Sequence, residues 1–158
     1  MEHQQINIEE RVARAKALFE SGHNCSQSVF MAFSDLFGVD DRLAATIAAP
    51  LGGGVGRLRE VCGAVTGMSL VVGLKYPSVD PKDKASRMKN YAVVRETAHA
   101  FEKQYGSVVC RELLKLRKGE EPELSASGHP ILRAGACSCA NLVESAARIV
   151  AEKLNEKQ

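Results

Sequence analysis

The five cysteines of this 158-residue chain have the clearest capacity for chemistry, because a thiolate can act as a nucleophile, a metal ligand or a redox centre. Four of them fall in the first turn of a predicted helix: Cys25, Cys62, Cys110 and Cys139. Asn24 directly precedes the first as an N-cap, and Ser107 is predicted to cap the helix that holds the third. The first N–H groups of a helix lack partners and carry partial positive charge. We therefore expect these four thiols to be acidified.

Four helix starts that converge would form a pocket suited to an anionic group. An iron-sulfur cluster of the 4Fe-4S type, held by four thiolates, meets that description, and the helix N–H groups would be available to its sulfurs. Residues 50–62, "PLGGGVGRLREVC", precede the second helix start, and glycine lets backbone come close to a cofactor. We predict metal ligands at the four cysteines and cofactor contacts at the neighbouring glycines: Gly53, Gly54, Gly56, Gly63 and Gly67.

Other interpretations of the cysteines stay open. No Cys-x-x-Cys spacing occurs, and the fifth cysteine, Cys137, leaves two candidates for the last position. Four thiolates also bind zinc. A metal-free thiol-disulfide protein would use Cys62 as the attacking thiol and another of the four to resolve it. In a non-catalytic interaction module, the cysteines would be core residues and the glycine-rich helix would pack against a second copy in a homodimer.

The spacing of apolar residues predicts an all-α fold. Steps of three and four run through residues 8–19, 29–37, 88–105 and 142–154. Residues 41–49 indicate a short helix capped by Asp40 or Asp41 and ended by Pro50. Residues 61–76 are small and apolar, which favours a buried helix, with a strand at "GMSLVVGL" as the alternative. We expect one domain over residues 1–158, a compact bundle of about six or seven helices.

The second half of the chain gives more specific expectations. The longest helix is predicted to open at Asp80 and Pro81, an N-cap and N1 pair. Its apolar stripe comprises Met88, Tyr91, Val94, Ala98, Phe101 and Tyr105. A further helix is predicted over residues 108–118, and the turn formers of residues 119–136 indicate a loop.

Composition excludes several classes of function. The formal net charge is only +2, and basic residues are interleaved with acidic ones, so we expect no nucleic-acid partner. The N-terminus lacks the basic and apolar regions of a secretory signal, and no run of about 18 apolar residues occurs. We expect a cytoplasmic protein without membrane segments, whose thiols stay reduced.

Charged residues and histidines near the cysteines are weaker candidates. "GGGVG" lacks the strand and the GK[ST] of a phosphate-binding loop. Arg57, Arg59 and Glu60 border the glycines, where they would tune a bound group or remain solvated. His23 could act as a base to a thiol or donate to a cluster. His129 gives no signal, and His3 lies in a terminus expected to fray.

Four segments of this chain resemble the bacterial and archaeal C_GCAxxG_C_C family of redox-active proteins. They are "GHNCSQSVFMAF", "GGGVGRLREVCGAVTGMSLVVGLKYP", "YGSVVCRELL" and "CANLVESAARI". The most specific part is Cys-Gly-Ala-x-x-Gly, which stands here as "CGAVTG" at residues 62–67. The resemblance implies four characteristic cysteines, which fall on Cys25, Cys62, Cys110 and Cys139, and it implies redox chemistry, an iron-sulfur cluster and an unidentified redox partner.

The same family is similar to the split-Soret cytochromes, which combine haem with an iron-sulfur centre. Covalent attachment of c-type haem requires Cys-x-x-Cys-His, which this chain lacks. We therefore expect no covalent c-type haem. The electron-transfer or redox-sensing function that the family implies would rest on the cysteines alone.

Overall fold

The structure, a computed structural model, describes residues 4–157 and is all-α over that range. Its principal α-helices are α1 (Ile8–Glu20), α2 (Cys25–Ser34), α3 (Asp41–Ala48), α4 (Gly63–Lys75), α5 (Lys84–Tyr105), α6 (Cys110–Leu113) and α7 (Cys139–Asn155). Short 3-10 turns follow α2 and α3, at Asp35–Phe37 and Ala49–Leu51. Isolated bridges join Val61 to Val109 and Leu124 to Pro130, and no strand occurs within residues 4–157. The predicted fold class is confirmed, and the strand alternative for "GMSLVVGL" is wrong.

The helix starts in the first third of the chain follow the predicted capping chemistry. Asn24 accepts a hydrogen bond from the Gln27 N–H, and the Gln27 side chain accepts one from the Asn24 N–H, which completes a capping box. Asp40, rather than Asp41, caps α3 by accepting from the Leu43 N–H at 2.8 Å. These short-range bonds fix where α2 and α3 begin.

The long helix begins three residues later than predicted. Asp83 is its N-cap, and its carboxylate accepts from both the backbone N–H and the hydroxyl of Ser86. Asp80 instead stabilises a preceding turn by accepting from the Lys82 N–H. The prediction at Asp80 and Pro81 is wrong because two consecutive Asp-led turns compete for the cap, and Asp83 has the serine three residues on.

The buried face of α5 is also offset from the predicted stripe. Val93, Thr97 and Phe101 face the core, whereas Met88 and Tyr91 are exposed. The hydroxyl of Thr97 bonds the Val93 carbonyl, so a threonine occupies the core face without an unpaired polar group. The predicted stripe is confirmed at Phe101, which is buried, and at Val94, Ala98 and Tyr105, which pack against the core, and it is wrong at Met88 and Tyr91. It also misses Thr97, because a stripe of apolar residues leaves threonine out of the core.

The core lies where α2 and α4 meet the other long helices. α2 packs against α1, α3, α4 and α7, and α4 also packs against α5 and α7. Phe33, Met68, Phe101 and Leu142 are among the largest fully buried side chains. No helix in residues 4–157 is long and apolar enough to cross a membrane.

Two glycines bring α4 onto the backbone of α2. A Cβ added at Gly67 would lie 2.9 Å from the Ser26 carbonyl oxygen and 2.9 Å from the Val29 Cβ. A Cβ at Gly63 would lie 3.0 Å from the Cys25 Cβ. α2 therefore covers the small-residue face of α4 at Gly63 and Gly67. Gly73 has no such neighbour within 4 Å.

Replacing these glycines by alanine should have opposite effects. Gly67→Ala should lower the free energy of unfolding by about 1–3 kcal/mol, because the new methyl group overpacks the contact between α2 and α4. Gly73→Ala should raise it by about 0.5–1 kcal/mol, since alanine favours helix and meets open space. Urea denaturation of the reduced protein measures both. Equal changes in the two variants would contradict the close packing at Gly67.

Candidate cysteine-lined cofactor site

The four predicted cysteines line one cavity of about 320 Å³. Cys25, Cys110 and Cys139 are the first residues of α2, α6 and α7, and Cys62 is the N-cap of α4. The predicted placement of these cysteines at helix starts is therefore confirmed. The fifth cysteine, Cys137, is not among the cavity-lining residues, and its N–H donates to the Leu113 carbonyl.

Backbone hydrogen bonds tie together two of these cysteines that are distant in the sequence. The Cys62 N–H donates to the Val108 carbonyl at 2.8 Å, and the Cys110 N–H donates to the Glu60 carbonyl at 2.6 Å.

Ser107 does not cap α6, contrary to the prediction. Its hydroxyl accepts from the Val109 N–H, and α6 is a single turn because Lys115 adopts a left-handed backbone with φ of 56°.

The glycine loop, residues 52–62, reaches the cavity through left-handed backbone. It begins with a single turn, Gly52–Val55, in which Gly53 and Gly54 depart from helical geometry. Gly53, Gly54 and Gly56 have φ values of 67°, 68° and 54°, which glycine adopts without strain. A Cβ at Gly54 would lie 2.7 Å from the Cys110 Cβ. All three glycines line the cavity together with Gly63, whereas the structure places Gly67 outside its wall.

Arg59 is the buried cation of the site. Its side chain is only 2% exposed, and its Nη1 lies 3.8 Å from the Cys110 Sγ as a hydrogen-bond donor. Its Nη2 forms an ion pair with Glu121 at 2.8 Å, which lowers the pKa of that carboxyl. The alternative of a solvated charge is therefore wrong for Arg59. Arg57 and Glu60 are exposed.

Residues 119–136 form a loop, as predicted, and this covering loop supplies a further wall of the cavity. Leu124, Gly128, His129 and Pro130 line it. The His129 ring stacks on Phe19 at 3.8 Å, and its Nε2 bonds the Phe19 carbonyl at 2.7 Å. Because a carbonyl only accepts, that nitrogen carries the proton. The sequence gives no sign of this role, since the partner lies 110 residues away, and His23 is not part of the wall.

The expected acidification of the thiols is wrong for three of the four. A hydrogen bond to Cys139 and burial raise the pKa of Cys25 well above its usual range. Burial raises the pKa of Cys62 to about 12, and burial also raises that of Cys110 despite the opposing Arg59 guanidinium. The Cys25 thiol, as donor, lowers the pKa of Cys139. Loss of hydration outweighs the partial charge of the helix starts in this cavity.

The four cysteines offer four sulfur donors to the cavity. Within residues 4–157, no group of three or more Cys, His, Asp or Glu side chains is placed to hold one ion. A lone zinc would need all its thiolates about 2.3 Å from one point, whereas a 4Fe-4S cluster binds each thiolate at a different iron. Four sulfur donors, glycine backbone and a buried cation suit a soft, anionic group.

The high pKa of the Cys62 thiol makes the reduced, metal-free protein sensitive to alkaline pH. Below the unfolded-state pKa near 9.0, both states hold the proton and the full stability remains. Between about pH 9 and 12 only the unfolded state releases it, so unfolding should become easier by roughly 1.4 kcal/mol per pH unit for this thiol. Urea denaturation of the protein and of Cys62→Ser should give a shallower decline for the variant. Parallel declines would contradict the burial of this thiol.

Most of the chain matches the model of a known protein family. A family model described as "Putative redox-active protein (C_GCAxxG_C_C)" matches residues 23–153, a range that contains all four cavity-lining cysteines. Neither the curated proteins nor the solved structures include a match to this chain. The match covers most of the sequence, and the chain belongs to the C_GCAxxG_C_C family of redox-active proteins.

Proposed function

We propose that this protein binds one iron-sulfur cluster, of the 4Fe-4S type, and uses it for electron transfer or redox sensing. The observation that carries the proposal is the convergence of Cys25, Cys62, Cys110 and Cys139 on one cavity. These residues come from four separate parts of the sequence, and each stands at the start of a different helix. Four cysteine thiolates are the usual ligand set of such clusters.

Each element of the cavity has a defined task in this proposal. The four thiolates hold the cluster, and the N–H groups of Ala64 and Val65 in the first turn of α4 stabilise charge on the Cys62 sulfur. When bound, the cluster accepts and releases one electron at a time. Leu113, Leu114 and Leu142 form an apolar wall that keeps water away, and low hydration together with hydrogen bonds to sulfur sets the reduction potential.

Packing alone does not account for the arrangement of the cysteines. A thiol that only fills the core needs no cavity beside it, yet the four line an opening bordered by glycine backbone and a buried arginine. The interaction-module alternative depended on the small-residue face of α4, which α2 covers at Gly63 and Gly67. These contacts favour a site over a purely structural role.

A second candidate function is metal-free thiol-disulfide exchange. The supporting observation is the interaction of the Cys25 thiol with Cys139, which makes these two sulfurs a close pair within the cavity. The pair most ready to form a disulfide is therefore Cys25 and Cys139. Cys62 is not favoured as the attacking thiol, because burial raises its pKa to about 12 and keeps it protonated.

Cluster binding is tested by anaerobic purification and reconstitution. We expect a broad visible absorption that bleaches on reduction, with about four iron and four sulfide per chain. Serine at any one of the four ligand positions should lower cluster affinity by about tenfold or more, since each ligand is needed to complete the set. Absorption with iron and sulfide analysis measures this.

The matched control for those variants is Cys137→Ser, which removes a nearby thiol that does not line the cavity. It should retain the iron and sulfide of the unaltered protein. A colourless protein without iron after reconstitution would overturn the cluster proposal. Loss of iron in Cys137→Ser, with retention in Cys139→Ser, would move the fourth ligand to Cys137.

The thiol-disulfide candidate makes a different prediction. A dialkyl disulfide such as oxidised glutathione should form a mixed disulfide with one thiol, which the second thiol resolves, so two glutathione thiols are released for each protein disulfide. Tryptic mass spectrometry of the metal-free protein should find Cys25 joined to Cys139. Cys137→Ser should react equally, whereas Cys25→Ser should stop at the mixed disulfide. A disulfide through Cys62 or Cys110 instead would contradict the contact.

A further inference from the structure

We propose that Arg59 is a positioning residue that holds the covering loop, residues 119–136, onto the cysteine cavity and places a buried cation beside Cys110. The guanidinium lies between a cavity thiol and a carboxylate of the loop, within hydrogen-bonding reach of both. This inference deepens the proposed function and rests on it for the effect on a bound cluster. The effect on the loop applies to the metal-free protein as well.

The backbone conformation of Arg59 and its hydrogen bonds determine the position of this residue. Arg59 has a left-handed φ of 63°, which is sterically unfavourable for a non-glycine residue. Two backbone hydrogen bonds hold that conformation: the Arg59 N–H donates to the Gly53 carbonyl, and the Arg111 N–H donates to the Arg59 carbonyl. These two bonds tie the backbone of Arg59 to the glycine loop on one side and to α6 on the other, which fixes the point from which its side chain extends.

The missing side chain at Gly53 leaves room for the arginines that follow it in the loop. A Cβ at Gly53 would lie 3.6 Å from the Arg59 Nη1 and 2.7 Å from the Arg57 Cγ. An arginine that is 2% exposed needs its charge compensated, because burial removes its hydration. Glu121 supplies that compensation from the covering loop, although its own side chain is 54% exposed.

The ion pair between Arg59 and Glu121 joins the glycine loop to the covering loop, and few other polar contacts join these two segments. His129 fixes the far part of the covering loop to Phe19, and Glu121 fixes the near part to Arg59. Arg133 and Glu120 pair with each other within the loop. Removing the bond to Arg59 should therefore release the near part of the loop while α4 and α7 remain packed.

The role of Arg59 in holding the loop and the role of its charge can be tested separately by two substitutions that each introduce an uncharged side chain. Arg59→Gln removes the cation, whereas Glu121→Gln removes the carboxylate that balances it. Both break the ion pair, so both should speed amide hydrogen exchange in residues 119–131 of the metal-free protein by several-fold. Their effects on a bound cluster should have opposite signs, because a buried positive charge favours the reduced, more negative cluster.

The expected readout is the ratio of reduced to oxidised protein at a fixed solution potential. Arg59→Gln should lower this ratio by about threefold or more, and Glu121→Gln should raise it. Arg59→Lys keeps the charge but not the two-sided fork, so it should preserve the ratio better than glutamine while still loosening the loop. The matched control is Glu123→Gln, which makes the same charge change at an exposed residue of the loop with no ion pair among the described residues.

Each outcome decides between the two claims. Unchanged hydrogen exchange in both Arg59→Gln and Glu121→Gln would overturn the role in holding the loop, even if a cluster is bound. If the ratio of reduced to oxidised protein changes in the same direction in both variants, or changes equally in Glu123→Gln, the role of the buried charge is overturned. Absence of a cluster in the unaltered protein and in every variant would overturn the proposed function and the role of the buried charge together. Hydrogen exchange alone would then decide whether Arg59 holds the covering loop.

Discussion

The contact between the backbones of α2 and α4 is the constraint on which the cysteine cavity depends. Ser26, one residue after Cys25, lies against the start of α4 at both Gly63 and Gly67. A side chain at either glycine would separate the two helices and, with them, Cys25 from Cys62. The Cys-Gly-Ala-x-x-Gly sequence is therefore a packing motif as much as a ligand motif, because its glycines set the distance between two of the four cysteines.

The second pair of cysteines is placed by irregular backbone as well as by helix packing. The glycine loop reaches Cys110 at Gly54, and hydrogen bonds from Cys62 and Cys110 fasten the loop to residues 108–110. α6 is only one turn long, so it contributes little stability of its own. Its cysteine is held by its neighbours, which gives the loop conformation a direct effect on the geometry of the site.

Burial and charge oppose each other in this cavity. Helix starts favour thiolates, yet the removal of water raises the pKa of three of the four thiols. The metal-free protein therefore keeps most of its thiols neutral, and Glu121 balances Arg59. A bound metal centre would reverse that balance, because metal charge stabilises the thiolates directly.

Short-range capping was readable from the sequence at Asn24 and Asp40 but not at Asp80 or Ser107, and long-range contacts were not readable. Asn24 and Asp40 cap helices through bonds to residues three positions on, which a linear pattern records. The burial of Arg59 and the stacking of His129 on Phe19 depend on partners 62 and 110 residues away, and no local pattern reports them. Thr97 on the buried face of α5 was missed for a related reason, because threonine is acceptable in the core only once its hydroxyl bonds the helix backbone.

The cavity combines a packed part and an irregular part. The four cysteines stand at helix starts that are fixed by packing, whereas one wall is a loop with few regular hydrogen bonds. Loops of this kind open at lower free energy than packed helices. In the proposed function, a site built in this way would let a large cofactor enter past the covering loop without unfolding the helices that carry the four cysteines. The ion pair between Arg59 and Glu121 links that loop to the charge beside Cys110.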